Sequence, residues 1–499
     1  MRIPPTSAVC SPAASIAIFL ILSSVMPLLA AVPTVPFDIE GPGVNPAQFR
    51  VTAFATGLNY PVGMAELADG SILVTSTDGP AFFNSNARLL RFVDEDRDGF
   101  ADRPPTVLFT GLNGGITSVQ IGGQLAFVTG QNKPITVLRM GSTPAEPFSL
   151  VGQLNIAYPA GGWLHPHSAL GIRPVAGESQ RYELFFQIGS KVNSEVSTQM
   201  VAFSTIGLGG FSGTFLGDSV YSVTFTDHGT SVTASHLTQI LSGVRNPAGF
   251  AFHPANGDLY FQDNGIDGLV DANEPHSADE LNVLPAAAIG GTVGSNVEFY
   301  GFPTNYTAYR SGTLVGGRGI QPLVAFQPLP NPLNGAESEG PNDIAFAPPA
   351  FPDPLNNGIF VTFHGKFGSG GTNNEENPLV FVDLNTTNYF HFIRPRLPGV
   401  GHLDGLLRVT DSLFISEIAT NGSLAAAAGK GAIYQVKALV GPPVKARWQG
   451  DQIELSWPHG VLQCSSNLMN NWLDLTNVSP HSIDPSDPAH TRRFFRARN

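Results

Sequence analysis

The sequence predicts an all-β chain, a six-bladed β-propeller followed by a small C-terminal β-sandwich-like domain. Three observations carry this expectation. Gly (55) and Pro (41) make nearly a fifth of the 499 residues without a G-x-y period, so turns are dense and the chain is not collagen-like. Helical periodicity is scarce. In its place one phrase recurs six times: a Gly/Pro turn, an alternating strand, a tight turn and a second apolar strand.

The clearest copies are Tyr60–Thr75 (YPVGMAELADGSILVT) and Asn246–Phe261 (NPAGFAFHPANGDLYF), and weaker ones begin near Gly115, His167, Gly340 and His402. Between the apolar runs lie groups such as D-G, G-G, N-G-D and N-N-G, which is hairpin chemistry because Gly and Asn accept positive φ. The copies are spaced by roughly 50–95 residues, and blade repeats run to about 40–50 before insertions, so radial repetition is indicated. Each sheet of a propeller is buried against its neighbours, leaving short, protected edges. The shared order of the phrase sets this apart from two unrelated β-sandwiches, whose turns also recur. The long intervals over 262–338 are expected as loops on one face, where propellers place their sites.

Residues 1–31 carry a single Arg, an apolar run from Ala14 to Leu29 and small residues at Ala30 and Ala31, the pattern of a cleaved secretory signal. The uninterrupted run Ile16–Leu22 is short for a membrane span of about 20 residues, and Pro27 breaks the apolar stretch after it. A secreted or periplasmic protein without stable membrane insertion is expected. Residues 32–49 then read as a linker, 50–437 as the propeller, 438–444 as a second linker and 445–499 as the small β module. Trp448, Trp457, Leu462, Trp472, Leu475 and Phe494 are the expected core of that module. Of the two cysteines, Cys10 falls in the signal, which leaves Cys464 alone and excludes an internal disulfide. Cys464 reads as a small buried hydrophobe.

Charge narrows the partners. With 26 Lys+Arg against 39 Asp+Glu the net charge is −13, and no basic patch is present to hold a nucleic acid or an anionic membrane. The basic end (Arg492, Arg493, Arg496, Arg498) reads as solvated alternation on an edge strand. Acidic disorder is also excluded, because 34 Phe accompany a charged fraction of only 13 %.

Four segments carry candidate chemistry. Asp94, Asp96, Asp98 and Asp102 stand at relative positions 1, 3, 5 and 9 with Gly99 at 6, matching the opening of an EF-hand-like calcium loop, although Pro105 holds the place of the usual Glu. The competing reading is a solvated acidic turn. His165 and His167, taken as strand residues, face the same side and suit a metal pair or one catalytic base beside Trp163. A zinc site needs a third ligand, and no HExxH or CxxC accompanies them; two loop histidines without a role are the alternative. Arg245-Asn246-Pro247 presents a planar, permanent cation at a strand entrance. The oxygens of Gln262–Asp267 and Asp279–Asn282 serve a second cation or cap turns.

Together the last segments, GVRNPAGFAFHPANGDLYFQDNGID…SADELN…EFYGFP, resemble the soluble quinoprotein glucose/sorbosone dehydrogenases, whose pattern runs G-x-R-N-P-x-G, G-P, D-E-x-N and Y-G-x-P. The likeness is specific around 243–303 and extends loosely over 50–437. It implies a six-bladed propeller that binds pyrroloquinoline quinone and calcium, oxidises an aldose at C1 to the lactone, and passes electrons to an external acceptor. The family's basic His falls on His165, with His167 as the alternative base. Arg245 and Asn246 match the pair that contacts the quinone, Arg245 also acting in catalysis. Gly265 and Ile266 match carbonyl ligands of calcium, Asp279 and Glu280 further calcium-linked acids, and Lys366 a cofactor lysine. His402 stands where the family has a second cofactor Arg, and the second-blade phrase that supplies a Gln is eroded to GGITSV. Loss of one cation from such a site costs about 1.5–3 kcal/mol, a ten- to hundredfold change in affinity. Two other readings therefore stay open: a non-catalytic propeller with a decayed pocket that binds a carbohydrate or protein partner, and a calcium-dependent lactonase with carboxylates at the axis. The C-terminal residues resemble a small appended module of exported bacterial enzymes, through L-Q-x-S-x-N-L, Trp472 and Phe494–Arg496.

Overall fold

The six recurring phrases form the first two strands of six antiparallel sheets. The computed structural model describes residues 34–499 apart from 85, 272–273, 291–296, 318, 366–376, 397–401, 421, 440–443, 466–471, 487–492 and 499. The predicted signal, Lys366 and Arg492 lie outside the described residues. Blade 1 is Met64–Glu66, Ile72–Thr77, Ala87–Phe92 and Thr106–Leu112. Blade 2 is Ile116–Gly122, Leu125–Gly130, Ile135–Arg139 and Ser149–Ala157. Blade 3 is Leu170–Pro174, Arg181–Ile188, Ser219–Asp227 and Val232–Ser242, joined in parallel by Glu298–Phe299. Blade 4 is Gly249–Phe252, Leu259–Asp263, Glu280–Leu284 and Val324–Ala325. Blade 5 is Pro341–Phe346, Gly358–Phe363, Leu379–Asp383 and Tyr389–His391. Blade 6 is Leu403–Arg408, Ser412–Glu417 and Gly431–Ala438, completed by Phe49–Leu58 from the start of the ring.

The innermost strands touch one another in chain order, and blade 6 returns to blade 1, so the ring is closed. Alternation along each antiparallel meander sorts the connections onto two faces. Links between blades, and between second and third strands, emerge on one face, here called upper. Turns between first and second strands, and between third and fourth, emerge on the lower face.

Apolar faces pack blade on blade. Between blades 2 and 3, Leu125, Phe127 and Leu154 meet Leu184, Phe186 and Phe225 in one buried cluster. At the axis the glycines of the recurring phrase have a second use besides turning. A β carbon on Gly249 would stand 2.9 Å from Cα of Asp343, and one on Gly63 2.9 Å from Cα of Ser118; one on Gly405 would strike the Val62 carbonyl oxygen. Only a residue without a side chain lets the inner strands approach this closely.

The structure revises two expectations and shows one blade extended beyond the recurring phrase. Residues 262–338 are not loops throughout, since they hold the third and fourth strands of blade 4. The connection between the second and third strands of blade 3 folds into Met200–Ile206 and Ser212–Leu216, which extend blade 2 to six strands. Residues 445–498 form two three-stranded sheets whose core is Leu455, Trp457, Leu462, Ile483 and Ala497, with Cys464 a buried free thiol. Trp448 (68 % exposed), Leu475 and Phe494 lie outside that core, Trp448 because its strand is an edge with every residue exposed. No helix among the described residues is long and apolar enough to cross a membrane.

Candidate functional site

The upper face gathers an arc of buried polar residues running from blade 3 to blade 6. It begins at His165, in the link between blades 2 and 3. This histidine was expected in a strand, but the first strand of blade 3 starts at Leu170, so the two histidines do not share a face. They diverge. His167 is fully buried, and its backbone N–H donates to the Tyr158 hydroxyl at 2.7 Å. Its Nε2–H donates to the Lys133 carbonyl at 2.5 Å, and Nδ1 accepts from the Tyr158 hydroxyl at 3.0 Å. Both ring nitrogens are thereby committed, and burial pushes the imidazole down to about 4, so His167 has nothing left to serve as an alternative base.

His165 is placed differently. Its N–H donates to the Ser190 carbonyl, and Ser190 N–H donates to the Arg245 carbonyl at 2.7 Å. His165 Nε2 and Ser190 Oγ are both buried without a hydrogen-bond partner. Burial, then the neighbouring Arg245 charge, pushes His165 down to about 3. Native interiors rarely leave such atoms orphaned, so two of them on residues joined by a backbone hydrogen bond single out this stretch as a candidate contact point for water or a ligand.

Arg245, only 2 % exposed, leaves the last strand of blade 3 for blade 4. Its Nε donates to the Asn193 carbonyl at 3.1 Å, and Nη2 donates to Asn193 Oδ1 at 2.8 Å and Asp267 Oδ2 at 2.6 Å. Asp263 closes the turn beneath, its carboxylate accepting the N–H groups of Arg245 and Asn246. Burial raises Asp263 to about 7 against the opposing pull of those N–H groups. Neither Asn193 nor Ser190 was legible as a site residue, because each lies in a long connection without a motif.

The calcium-linked set behaves as bracing. The Ile266 carbonyl accepts the N–H groups of His276 and Ser277 at 2.8 and 3.2 Å, so this expected calcium ligand already carries two hydrogen bonds within the chain. Asp279 spans two blades, Oδ1 accepting from Gly265 N–H at 2.6 Å and Oδ2 from Gly340 N–H at 2.9 Å. Burial raises Asp279 to about 6 and Glu280 to about 8, Glu280 also feeling Asp263. The Asp279 carboxylate thus caps two turns, while Glu280 Oε2 accepts from Asn282 Nδ2 at 3.2 Å.

Asn264 carries the arc onward, donating to the carbonyls of Asn246 at 3.1 Å and Pro341 at 2.9 Å. His364 N–H then donates to the Gly340 carbonyl at 2.8 Å. The His364 ring donates from Nδ1 to Asp404 Oδ1 at 2.8 Å, and Asn342 Nδ2 donates to the same oxygen. His402, fully buried, packs its ring 4.7 Å from that of His364 and against Gly422. Below these residues an axial channel of about 70 Å³ is lined by all six inner strands, including Ser118, Gly249, Asp343 and Asp404.

The acidic loop lies elsewhere. Residues 94–102 join the third and fourth strands of blade 1, on the lower face. Asp94, Asp96 and Asp102 bring carboxylate oxygens within 4.8 Å of one another, the group among the described residues with metal-holding geometry. Gly99 takes φ +88° at the bend, and its N–H and that of Asp98 donate to Asp94. Asp98 turns its own carboxylate to Phe100 N–H instead. Burial raises Asp94, with Asp98 and Asp102 adding repulsion against two opposing N–H bonds. The loop borders a cleft of about 490 Å³ with Arg91, Lys437 and His459.

No family model matches the chain. A protein of Borreliella burgdorferi described as uncharacterized is 55% identical over 42 residues, which is 8% of this chain and 10% of that one, so the chain spans about a tenth of that relative's length. Solved structures are more informative. The chain is similar to a Carbohydrate-Active Enzymes family AA12 protein of Trichoderma reesei in an iodide structure, at 15% identity and TM-score 0.52, covering 82% of this chain and 99% of that one. A calcium structure from the same source aligns at 16% identity and TM-score 0.51, over 82% and 98% of the two chains. The holo PQQ domain of pyranose dehydrogenase from Coprinopsis cinerea aligns at 14% identity and TM-score 0.50, again over 82% and 98%. The fold is that of the quinoprotein sugar dehydrogenases.

Proposed function

We propose that this chain is an exported quinoprotein-type dehydrogenase that oxidises an aldose, or a related sugar alcohol or aldehyde, with pyrroloquinoline quinone and calcium. The observation that supports this reading best is the unsatisfied pair of His165 Nε2 and Ser190 Oγ, buried next to the Arg245 guanidinium on the upper face. A quinone bearing carboxylates needs a fixed cation and nearby polar atoms, and Arg245, Asn246 and His165 meet that need in this arc. Lys366, outside the described residues, is the further cation this proposal assigns. His402, enclosed against Gly422 with its ring 4.7 Å from that of His364, is the residue this proposal sets at the place of the second cofactor Arg.

When bound, the quinone supplies the oxidant for a sugar C1. The chain's own residues do the rest. Burial and the Arg245 charge keep the His165 imidazole neutral across the physiological range, and its Nε2, buried without a partner in the chain, is the atom this proposal assigns to a sugar hydroxyl. Arg245, held rigid by Asn193 and Asp267, stabilises negative charge that develops near it without having to reorganise. Asp279 and Asn264 lock blades 4 and 5 so that this geometry persists. Calcium fits the Asp94–Asp102 loop better than the residues around Ile266, whose carbonyl is already bonded.

A second reading, a non-catalytic propeller with a decayed pocket, is favoured by one observation: Arg245 is already neutralised by Asp267. A lactonase lacks comparable support, because the metal-holding group among the described residues lies on the lower face. The deciding experiment adds pyrroloquinoline quinone and calcium to purified protein and follows dye reduction with a panel of aldoses, alongside a calorimetric titration of the quinone. Turnover supports the dehydrogenase. Absence of both turnover and binding overturns it in favour of the decayed pocket.

A further inference from the structure

The axial channel is drawn from one equivalent step of each inner strand or of the residues leading into it: 62–64, 117–119, 168–170, 248–250, 342–344 and 404–406. The first places of these steps are Val62, Thr117, Ser168, Ala248, Asn342 and Asp404. Thr117, Asn342 and Asp404 are bulged, because the pairing of each inner strand with its second strand skips that residue. A bulge breaks the alternation and re-aims its side chain, and all three of these residues line the channel. Among the described residues that line it, the ionisable side chains are Asp343 and Asp404, with no Lys, Arg or His to balance them.

The two carboxylates differ in what they have left to give. Asp343 Oδ1 accepts from the Ile344 N–H and Oδ2 from the Leu406 N–H, each at 2.9 Å. Burial also raises Asp343 to about 7, so it carries only part of a charge near neutrality. Asp404 Oδ1 accepts from His364 Nδ1 at 2.8 Å and from Asn342 Nδ2. Asp404 Oδ2 is buried without a hydrogen-bond partner, on a residue 3 % exposed. A carboxylate oxygen without a donor is among the costliest atoms to bury, and burial of this kind calls for a counter-charge. Neutral oxygens stand on the same lining, among them the hydroxyls of Thr117, Ser118 and Ser168. The Thr117 hydroxyl donates to the Ser168 carbonyl, which leaves its own oxygen as an acceptor.

We propose that the axial channel holds one alkali cation, sodium or potassium, on Asp404 Oδ2, with water and neutral oxygens of the lining completing its shell. The inference does not depend on the dehydrogenase reading. Space permits it: the channel measures about 70 Å³, and a water needs about 10–15 Å³ of such volume, so an ion and several waters fit. Charge selects the valence. One carboxylate oxygen is open here, which balances a single charge, whereas a calcium ion is ordinarily gathered by several carboxylates. The lower-face loop, with three convergent carboxylates, suits the divalent ion instead. Because the channel draws on all six inner strands, an ion within it would stabilise the ring as a whole and not one blade.

The test uses the full chain without quinone, at fixed calcium. Melting temperatures are compared in sodium, potassium and choline chloride at equal ionic strength, so that screening is constant and only the small cation changes. An alkali chloride should raise the melting temperature saturably above choline, by about 2–3 °C once the cation exceeds its Kd a hundredfold. The better of sodium and potassium identifies the ion. Asp404→Asn keeps the shape of the side chain and should abolish the difference from choline, whereas Asp94→Asn with Asp102→Asn should preserve it. Equal melting temperatures in the three salts, or an alkali rise that survives Asp404→Asn, overturn the proposal. A calcium-dependent rise that survives the double loop substitution but not Asp404→Asn overturns the monovalent assignment. Should Asp404→Asn not fold, crystals of the wild type grown in rubidium chloride decide. An anomalous peak at ligand distance from Asp404 Oδ2 supports the site, and a channel holding only water overturns it.

Discussion

Arg245 and Asp267 form an ion pair of unequal partners, joined at 2.6 Å with side chains 3 % and 70 % exposed respectively. The cation is enclosed by protein while its counter-charge stands in water, so the two halves carry different energetic weight. Asp267→Asn should cost about 1 kcal/mol or less, because an exposed carboxylate is already well solvated and screened. Arg245→Leu leaves the Asn193 acceptors without their donor and should cost roughly 1–3 kcal/mol. Urea unfolding of the two variants checks the ranking, and a larger loss for Asp267→Asn would contradict it.

His167 makes acid stability testable. Its folded value is about 4, below an unfolded value near 6.5, so its neutral form is favoured by the fold. That contribution is present above about pH 6.5 and is lost as pH falls toward 4, at up to about 1.4 kcal/mol per pH unit. Asp343, raised to about 7 by burial, acts in the opposite sense, its contribution being present at low pH and lost as pH rises through 7. Comparison of wild type with His167→Gln isolates the histidine. The variant's unfolding midpoint should fall less steeply between pH 6.5 and 4, and parallel curves would refute the argument.

Calcium should raise the melting temperature through the lower-face loop, independently of quinone. Asp94→Asn combined with Asp102→Asn should abolish the rise, because both carboxylates belong to the convergent group. Glu280→Gln, in the braced set on the upper face, should leave the rise intact. Terbium luminescence titrations of the three proteins provide the check, and a signal that survives the double substitution would move the cation elsewhere.

Close approach at the axis predicts an intolerance that burial alone does not. Gly249→Ala would bring a methyl to 2.9 Å from the Asp343 backbone, which can move only with blade 5. A loss of about 1–3 kcal/mol is expected, the usual cost of overpacking. Gly43→Ala, with nothing within 4 Å, has φ +74° as its only objection and should cost less. Thermal unfolding distinguishes them.

The propeller was readable because its information is local. In copies such as LADGSILVT and HPANGDLYF, the turn and the strand after it lie within ten residues, so periodicity and turn chemistry placed the first two strands of all six blades. Third and fourth strands such as Glu280–Leu284 and Val324–Ala325 were hidden by long insertions. The site was readable only where a phrase carried it. Arg245 and Asn246 stood out in RNP, whereas Asn193 and Ser190 gain their meaning from a chain crossing between blades. The strand assumed for His165-Pro166-His167 misdirected the period-two argument: in a link, alternate side chains need not agree. The Asp404–His364 pair joins residues 40 positions apart on two blades, and neither GHLDG nor HGKFGSG hints at the other.

The ring is fastened by pairing Phe49–Leu58 with Gly431–Ala438. A chain made from its N-terminus therefore holds Phe49–Leu58 without this partner until nearly four hundred further residues exist. That strand, FRVTAFATGL, is apolar and has β propensity, so it is a sticky edge throughout synthesis. Assembly of the last blade is thus also the moment at which this hazard disappears, and a chain ending before Gly431 would leave the edge permanently open.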